Sequence, residues 1–328
     1  MGAGNSSEHS GGRGRKRRLR GLQTVPQPPE TRFFRYREIV PEFSAFCQSL
    51  YAPLPTHLRV NTLKTSTTEI RLRLERRGLA RARADQTDLV LRAANLPQPG
   101  TLVEYALGLF HPQALSSVVT ALAVAPAPEH LVLDLCASPG SKTSLLAQLM
   151  KNRGVVVAND SSSTRIATLT ANLKRLGVTN TVVTCYSGQQ FPLHGRFHRV
   201  LVDVPCSAEG TLRTGVQGTL PATIRPRPGL VVLQRSLLLR AFDLLEPGGM
   251  LVYSTCTYDP QENEGAIQFL LDERPARVEP IDLGFPHSPG LTRWEETMYD
   301  PSIHHCWRIY PHQLDTVGFF LARVARDF

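Results

Sequence analysis

From residue 131 onward, apolar positions follow two alternating rhythms. Short continuous runs suit strands buried on both faces of a parallel sheet: LVLDLCA (131–137), VVVAND (155–160), TVVTCYS (181–187), RVLVDVP (199–205) and MLVYSTC (250–256). The segments between them carry helical spacing: KTSLLAQLM, SSTRIATLTANLKRLG, GLVVLQRSLLLRAFDLLEPGG and ENEGAIQFLLDE. Gly248 and Gly249 are expected to close the third of these helices. RIYPHQLDTVGFFLARV, near the end, reads as a hairpin-like pair of strands. Strands alternating with helices predict an α/β fold, a Rossmann-like doubly wound sheet with an antiparallel edge.

The preceding stretch is patterned differently. Phe33, Phe34, Tyr36, Ile39, Phe43, Phe46 and Leu50 lie at roughly helical spacing, and LRVNTL (58–63) suggests a short strand. Thr67 or Thr68 is placed to cap a helix, TEIRLRLERRGL, that Gly78 ends; Gln113 opens another with Leu115, Val118, Val119 and Leu122 on one face. Residues 31–125 are therefore expected to form a small mixed α+β domain, joined through APAPEH to a second domain, 126–328. Residues 1–30, rich in Gly, Ser, Arg and Pro, read as a disordered basic tail. The tail formally fits a myristoylation pattern at Gly2 and Ser6, and its Arg-rich, acid-poor composition also fits a transit peptide.

Composition narrows the class. No apolar run reaches the ~20 residues of a membrane helix, and no secretory signal is present, so a cytoplasmic chain with no membrane partner is expected, acting as a monomer. Cys47, Cys136, Cys185, Cys206, Cys256 and Cys306 show no CxxC pair or zinc spacing; free thiols and no metal are expected. Of the net charge of +9, residues 1–20 carry +5 and residues 57–92 another +5, leaving a nearly neutral body. Two basic zones on such a body suit a polyanion, RNA or DNA, although either alone fits a solvated surface.

Candidate chemistry gathers at the strand ends. In LVLDLCASPGSKT, Pro139 and Gly140 force a turn after the first strand, and Ser141 or Thr143 is placed to cap the next helix. A strand, a tight loop and a helix N-terminus form a corner suited to a nucleotide, without a GxGxxG or Walker pattern. Asp160 ends the second strand, 20 residues past Gly140, where an acid can hold ribose hydroxyls or simply cap a helix. Asp203, Cys206 and Cys256 follow the fourth and fifth strands. In a doubly wound sheet all of these fall on one rim.

CASPGSKT, AND…R, DVPCS and YSTCT, in this order and spacing, closely resemble the Nop/Sun family of RNA cytosine-C5 methyltransferases. The resemblance covers about residues 31–328. GTLR after the cysteine loop and the closing RIYPHQLDTVGFF look most like bacterial members that modify small-subunit ribosomal RNA, here without the extra C-terminal RNA-binding domain those often carry. It implies a class I methyltransferase fold, S-adenosylmethionine as cofactor, and ribosomal or transfer RNA as partner. It also implies Cys256 as the nucleophile, Cys206 as the residue that assists release, and Asp203 at the base edge. Lys142 is placed to lower a thiol pKa or to orient Asp203. Cys136, Ala137, Ser138, Pro139, Gly140, Ser141 and Lys142 would wrap the cofactor with Asp160, Arg165 and Asp203.

One departure stands out: where the family has Asp-Gly after the third strand, this chain has Ser187-Gly188. Weaker cofactor binding, or a substitute acceptor nearby, is expected. Arg59, Arg71, Arg73, Arg76, Arg77 and Arg213 are expected to grip RNA phosphates. The competing readings are a methyltransferase acting on DNA, with Cys206 as the attacking thiol, or on a small molecule, and a non-catalytic RNA-binding or ribosome-assembly factor with the same fold. Removing residues 1–20 is expected to flatten the salt dependence of RNA binding, measured as the slope of log affinity on log salt; an unchanged slope rejects a role for the tail.

Overall fold

A computed structural model describes Met1 and residues 28–79, 83–84, 87–93, 96, 98–213, 220 and 229–327. Residues 2–27, with the basic cluster and both targeting patterns, lie outside the described residues. Helix α1 (Phe43–Ser49) precedes a four-stranded antiparallel sheet of order β2-β3-β1-β4. Its strands are β1 (Thr56–Val60), β2 (Arg83–Ala84), β3 (Val90–Ala93) and β4 (Phe110–Pro112). Helix α2 (Thr67–Arg76) lays Ile70 and Leu74 on Leu58, Val60, Leu91 and Phe110 of this sheet. Its cap is Ser66, one residue before those expected: the side chain accepts from the Glu69 N–H, so the hydroxyl satisfies a first-turn donor.

Two segments expected in this N-terminal domain pack elsewhere. Phe33, Tyr36 and Phe46, around α1, close on Tyr258 and Tyr310 far along the chain, with Phe46 edge-on to both at 5.4 and 6.1 Å. Helix α3 (Leu115–Val124) is buried almost all round and shares a core with Val132, Val156, Leu201 and Val252 of the large sheet. The unit expected at 31–125 is thus split, because the apolar faces at both its ends are covered by the C-terminal part.

That part is built from β5 (Leu131–Asp134), α4 (Ser141–Leu149), β6 (Val155–Asn159), α5 (Ser163–Leu176), β7 (Thr181–Thr184), β8 (Phe197–Asp203), α6 (Leu230–Asp243), β9 (Leu245–Thr255) and α7 (Glu264–Glu273). It is completed by β10 (Ala276–Glu279), β11 (Ser288–Pro289), a separate hairpin of β12 (Arg293–Trp294) and β13 (Thr297–Met298), β14 (Trp307–Ile309) and β15 (Phe319–Arg326). The sheet runs β11-β14-β15-β9-β8-β5-β6-β7; the last five are parallel, and β15 is antiparallel to β9 and to β14. Successive residues face opposite cores. Leu133, Val200, Val202, Leu251 and Tyr253 meet α6 and α7, whereas Val132, Leu201 and Val252 meet α3 and α4. This two-sided burial explains the continuous apolar runs. Gly248 and Gly249 do not close α6. The helix stops at Asp243, and the register shift between Phe197 and Arg199 accommodates Pro247 and the glycines inside β9. Among the described residues, no helix is long and apolar enough to cross a membrane.

Polar side chains weld the two parts together. Arg59, 1% exposed, crosses from β1 to α4, donating to Gln113 Oε1 at 2.8 Å, Ser144 Oγ at 2.7 Å and Gln148 Oε1 at 2.5 Å. Asn61 Nδ2 donates to the Leu176 carbonyl at 2.7 Å and Lys64 Nζ to that of Arg175 at 2.8 Å. Burial, with Arg59 and Arg175 nearby, drives the His111 pKa down to about 3, so its ring is neutral. Arg175 Nη2 can only donate to Nδ1, at 2.9 Å, so Nε2–H donates to Ser141 Oγ at 2.8 Å. Arg59 is therefore not the phosphate contact expected of it; its charge is enclosed between the two parts. Arg59→Met is expected to cost roughly 2–4 kcal/mol, through the buried partners left unpaired. Urea unfolding checks this, and the salt slope of RNA binding should stay unchanged.

Candidate active site

The chain turns from β5 toward β6 and β7 on one side of the sheet and toward β8 and β9 on the other. A cavity of about 400 Å³ opens beyond the strand ends at that switch point. Leu135, Cys136, Ser138, Asp160, Asp203 and Cys256 are among its lining residues. Register sets them side by side: Asp134 pairs with Ala158 and Leu201, and Asp203 pairs with Ser254.

The loop from 135 to 140 is built from within. Gly140, at φ +97°, is itself the N-cap of α4, and an added Cβ would lie 2.8 Å from Leu169 Cδ1. Neither Ser141 nor Thr143 caps the helix. Ser141 bonds His111, and Thr143 Oγ1 donates to Asp134 Oδ2 at 2.7 Å. Burial raises the Asp134 carboxyl to about 7. Ala137 packs on Leu169 and Leu173, and the Pro139 carbonyl accepts from Asn172 Nδ2 at 2.9 Å. Cys136 and Ser138 thus line the cavity, while Ala137, Pro139, Gly140 and Ser141 shape the loop. Burial pushes the Cys136 thiol up, which keeps it protonated.

Asp160, 2% exposed, accepts from Ser138 N at 3.3 Å and Ser162 N at 3.0 Å, with Arg165 Nη1 at 3.4 Å. Ser162 is the N-cap of α5, so Asp160 is not; its carboxylate borders the cavity. Arg165 Nη2 also donates to the Ser138 carbonyl at 2.8 Å. Ser187 is not among the lining residues, but Gly188 and Gln189 are. A Cβ at Gly188 would meet Leu237 Cδ2 at 2.5 Å, which keeps this wall thin. Gln189, two residues beyond Ser187, brings an amide side chain to the lining. A carboxylate for ribose hydroxyls, apolar Leu135 and Leu237 for a purine, and an amide beyond them fit a nucleoside cofactor such as S-adenosylmethionine.

At the other end of the cavity, Lys142 Nζ lies 2.7 Å from Asp203 Oδ2, and Ser254 Oγ donates to Asp203 Oδ1 at 2.7 Å. Cys206 Sγ and Cys256 Sγ are 3.1 Å apart, and the Cys256 N–H points at Cys206 Sγ at 3.2 Å. The hydrogen bond with Cys206 lowers the Cys256 thiol pKa; burial and the Asp203 carboxylate oppose this, and Lys142 reinforces it. The same hydrogen bond and burial push Cys206 up. These shifts make Cys256 the more acidic thiol of the pair. Glu262, 5% exposed, fixes the Pro205–Ser207 turn by accepting from Ser207 N at 3.0 Å and Gln234 Nε2 at 2.7 Å.

The geometry has close counterparts. The family described as 16S rRNA methyltransferase RsmB/F matches residues 121–325. A tRNA (cytosine(49)-C(5))-methyltransferase of Pyrococcus abyssi is 37% identical over 290 residues, covering 87% of this chain and 91% of that protein. The chain belongs to the RsmB/F methyltransferase family. A human 28S rRNA (cytosine(4447)-C(5))-methyltransferase is 38% identical over 86% of this chain, which spans only 36% of that protein's length. The crystal structure of a methyltransferase homolog from Pyrococcus horikoshii superposes with a TM-score of 0.78 at 32% identity, covering 90% of this chain and 95% of that one. No group of three His, Cys, Asp or Glu side chains suited to a metal occurs among the described residues.

The expected RNA-facing arginines divide. Arg71 and Arg76 are exposed on α2; Arg73 pairs with Glu69 at 2.7 Å and Arg77 with the buried Glu104 at 3.1 Å, both remaining partly open to solvent. Arg213 is not a phosphate contact: its guanidinium donates to the Ser49 carbonyl and, at 3.1 Å, to that of Thr316, tying α1 to the loop before β15. Ser254, Glu262, Gln234 and Gln189 join the site only in the fold. Ser254 and Glu262 sit within YSTCTYDPQENE, beside Cys256, which is the signal for them; for Gln234 and Gln189 the sequence carries none. Lys142→Met is expected to shift alkylation of Cys256 to higher pH, because the ammonium favours the thiolate; iodoacetamide rates against pH check it.

Proposed function

We propose that this RsmB/F-family chain transfers a methyl group from S-adenosylmethionine to carbon 5 of a cytosine in ribosomal or transfer RNA, through a covalent cysteine adduct. The observation that carries this is the pair of thiols 3.1 Å apart beside the Lys142–Asp203 ion pair, on the rim of a nucleoside-sized cavity. Carbon 5 of cytosine is a poor nucleophile until a sulfur adds at carbon 6, and a lowered thiol pKa in a half-buried site favours that addition. S-adenosylmethionine supplies the methyl group when bound, with Asp160, Ser138, Arg165 and Gln189 placed to hold it.

Cys256 forms the bond to carbon 6. Asp203 faces the base edge, and the Lys142 ammonium beside it offsets the negative charge that develops at ring nitrogen 3. Once carbon 5 carries the methyl group, a solvent water takes its proton, the ring double bond reforms and the carbon–sulfur bond breaks, returning Cys256 as thiolate. Cys206 S–H then hydrogen-bonds the departing Cys256 thiolate, a role supported by the 3.1 Å between the two sulfurs. The cytosine must be splayed out of any stack to reach this rim. Exposed Arg71 and Arg76 on α2 supply phosphate contacts without sequence choice.

Cys206→Ala and Cys256→Ala, each incubated with total RNA and cofactor and run on a denaturing gel, provide the test. Cys206→Ala is expected to retain a covalent RNA adduct and Cys256→Ala none. The reverse assigns the attack to Cys206, and no adduct in either favours a non-catalytic RNA-binding factor.

A further inference from the structure

Two elements lie outside both main sheets: the short turn Phe34–Tyr36 and the β12–β13 hairpin. Between them is a second cavity, of about 480 Å³, lined by Phe34, Arg35, Arg37, Glu38, Trp294 and Glu295. Its make-up is unlike a packing defect. Phe34 is 59% exposed, with the Arg37 guanidinium 5.8 Å from its ring centroid. Trp294 is half-buried, 6.2 Å from the Tyr36 ring. Aromatic faces accept stacked bases, arginines accept phosphate or base acceptors, and carboxylates accept base N–H groups; the lining offers all three.

The cavity is also tethered to the chemistry. Arg35 Nη2 reaches Glu209 Oε1 at 3.0 Å and Asp259 Oδ2 at 3.3 Å, and Tyr36 OH donates to Glu209 Oε2 at 2.5 Å. Glu209 and Asp259 each stand three residues beyond a reactive thiol, Cys206 and Cys256 respectively. A nucleotide held here is therefore close along the RNA to the cytosine at the rim. Extruding that cytosine unstacks its neighbour as well, which leaves a base in need of a new partner.

We propose that Phe34, Trp294, Arg35 and Arg37 form a stacking subsite for the base of an unpaired RNA nucleotide flanking the target cytosine. The subsite rests on the function proposed above, so its test reads RNA binding separately from methyl transfer. Affinity of the full chain for a short single-stranded RNA of mixed sequence, followed by fluorescence anisotropy, is expected to fall roughly tenfold in Phe34→Ala and to return in Phe34→Trp. Phe34 is exposed, so the fold should tolerate either change, and cofactor affinity should not move. Unchanged RNA affinity in Phe34→Ala overturns the subsite, whether or not methyl transfer occurs, and leaves contact with a protein as the use of this surface. Loss in both variants also overturns it, since stacking requires only an aromatic ring. Methyl transfer to total RNA by the unaltered chain reports on the function itself.

Discussion

Lys142 and Asp203 meet across the gap between two neighbouring strand ends, one on the first turn of α4 and the other on the last residue of β8. The charges at 2.7 Å fix the 135–140 loop relative to the cysteine-bearing turns. Ser254 extends the contact to β9, and Cys256 lies two residues further on. A first-turn lysine is poorly placed relative to the helix dipole, and the carboxylate opposite compensates for it. The same ammonium bears on the Cys256 thiol, so one side chain serves both the architecture and the reactivity of the site.

Around that contact, buried polar groups do what apolar packing cannot. A close-packed core fixes distances but not which oxygen faces which nitrogen. Glu262 with Gln234 sets the turn before Cys206, Thr255 with Asn263 sets the strand end before Cys256, and Asp160 with Ser138 and Ser162 sets the cofactor side. Each is largely shielded from water, where a misplaced partner is costly, and the network accordingly admits few alternative geometries.

The N-terminal part is attached to the machinery rather than tethered near it. Arg59 reaches α4 and His111 reaches Ser141, on the helix that follows the cofactor loop, while Arg35 and Tyr36 reach the loops that follow both thiols. Whatever binds the N-terminal surface is therefore registered against the rim through side chains a few ångströms long.

The parallel sheet, its strand order of events along the chain, and the convergence of Cys136, Asp160, Asp203, Cys206 and Cys256 on one rim were legible in the sequence. Period and strand-end position are local properties, and the topology of an α/β sheet turns them into proximity. What each arginine does was not legible. Arg59, Arg71 and Arg213 are the same residue type, yet one is enclosed, one exposed and one bonded to two carbonyls. The assignment of α1 and α3 to the C-terminal body was equally invisible, because an apolar helix face does not state what will cover it. Sequence alone determined the order of strands and helices and which strand ends carry the acids and thiols. Only the tertiary structure decided which arginines are enclosed and which stay exposed, because burial depends on contacts between residues 54 to 164 positions apart, which no local pattern encodes.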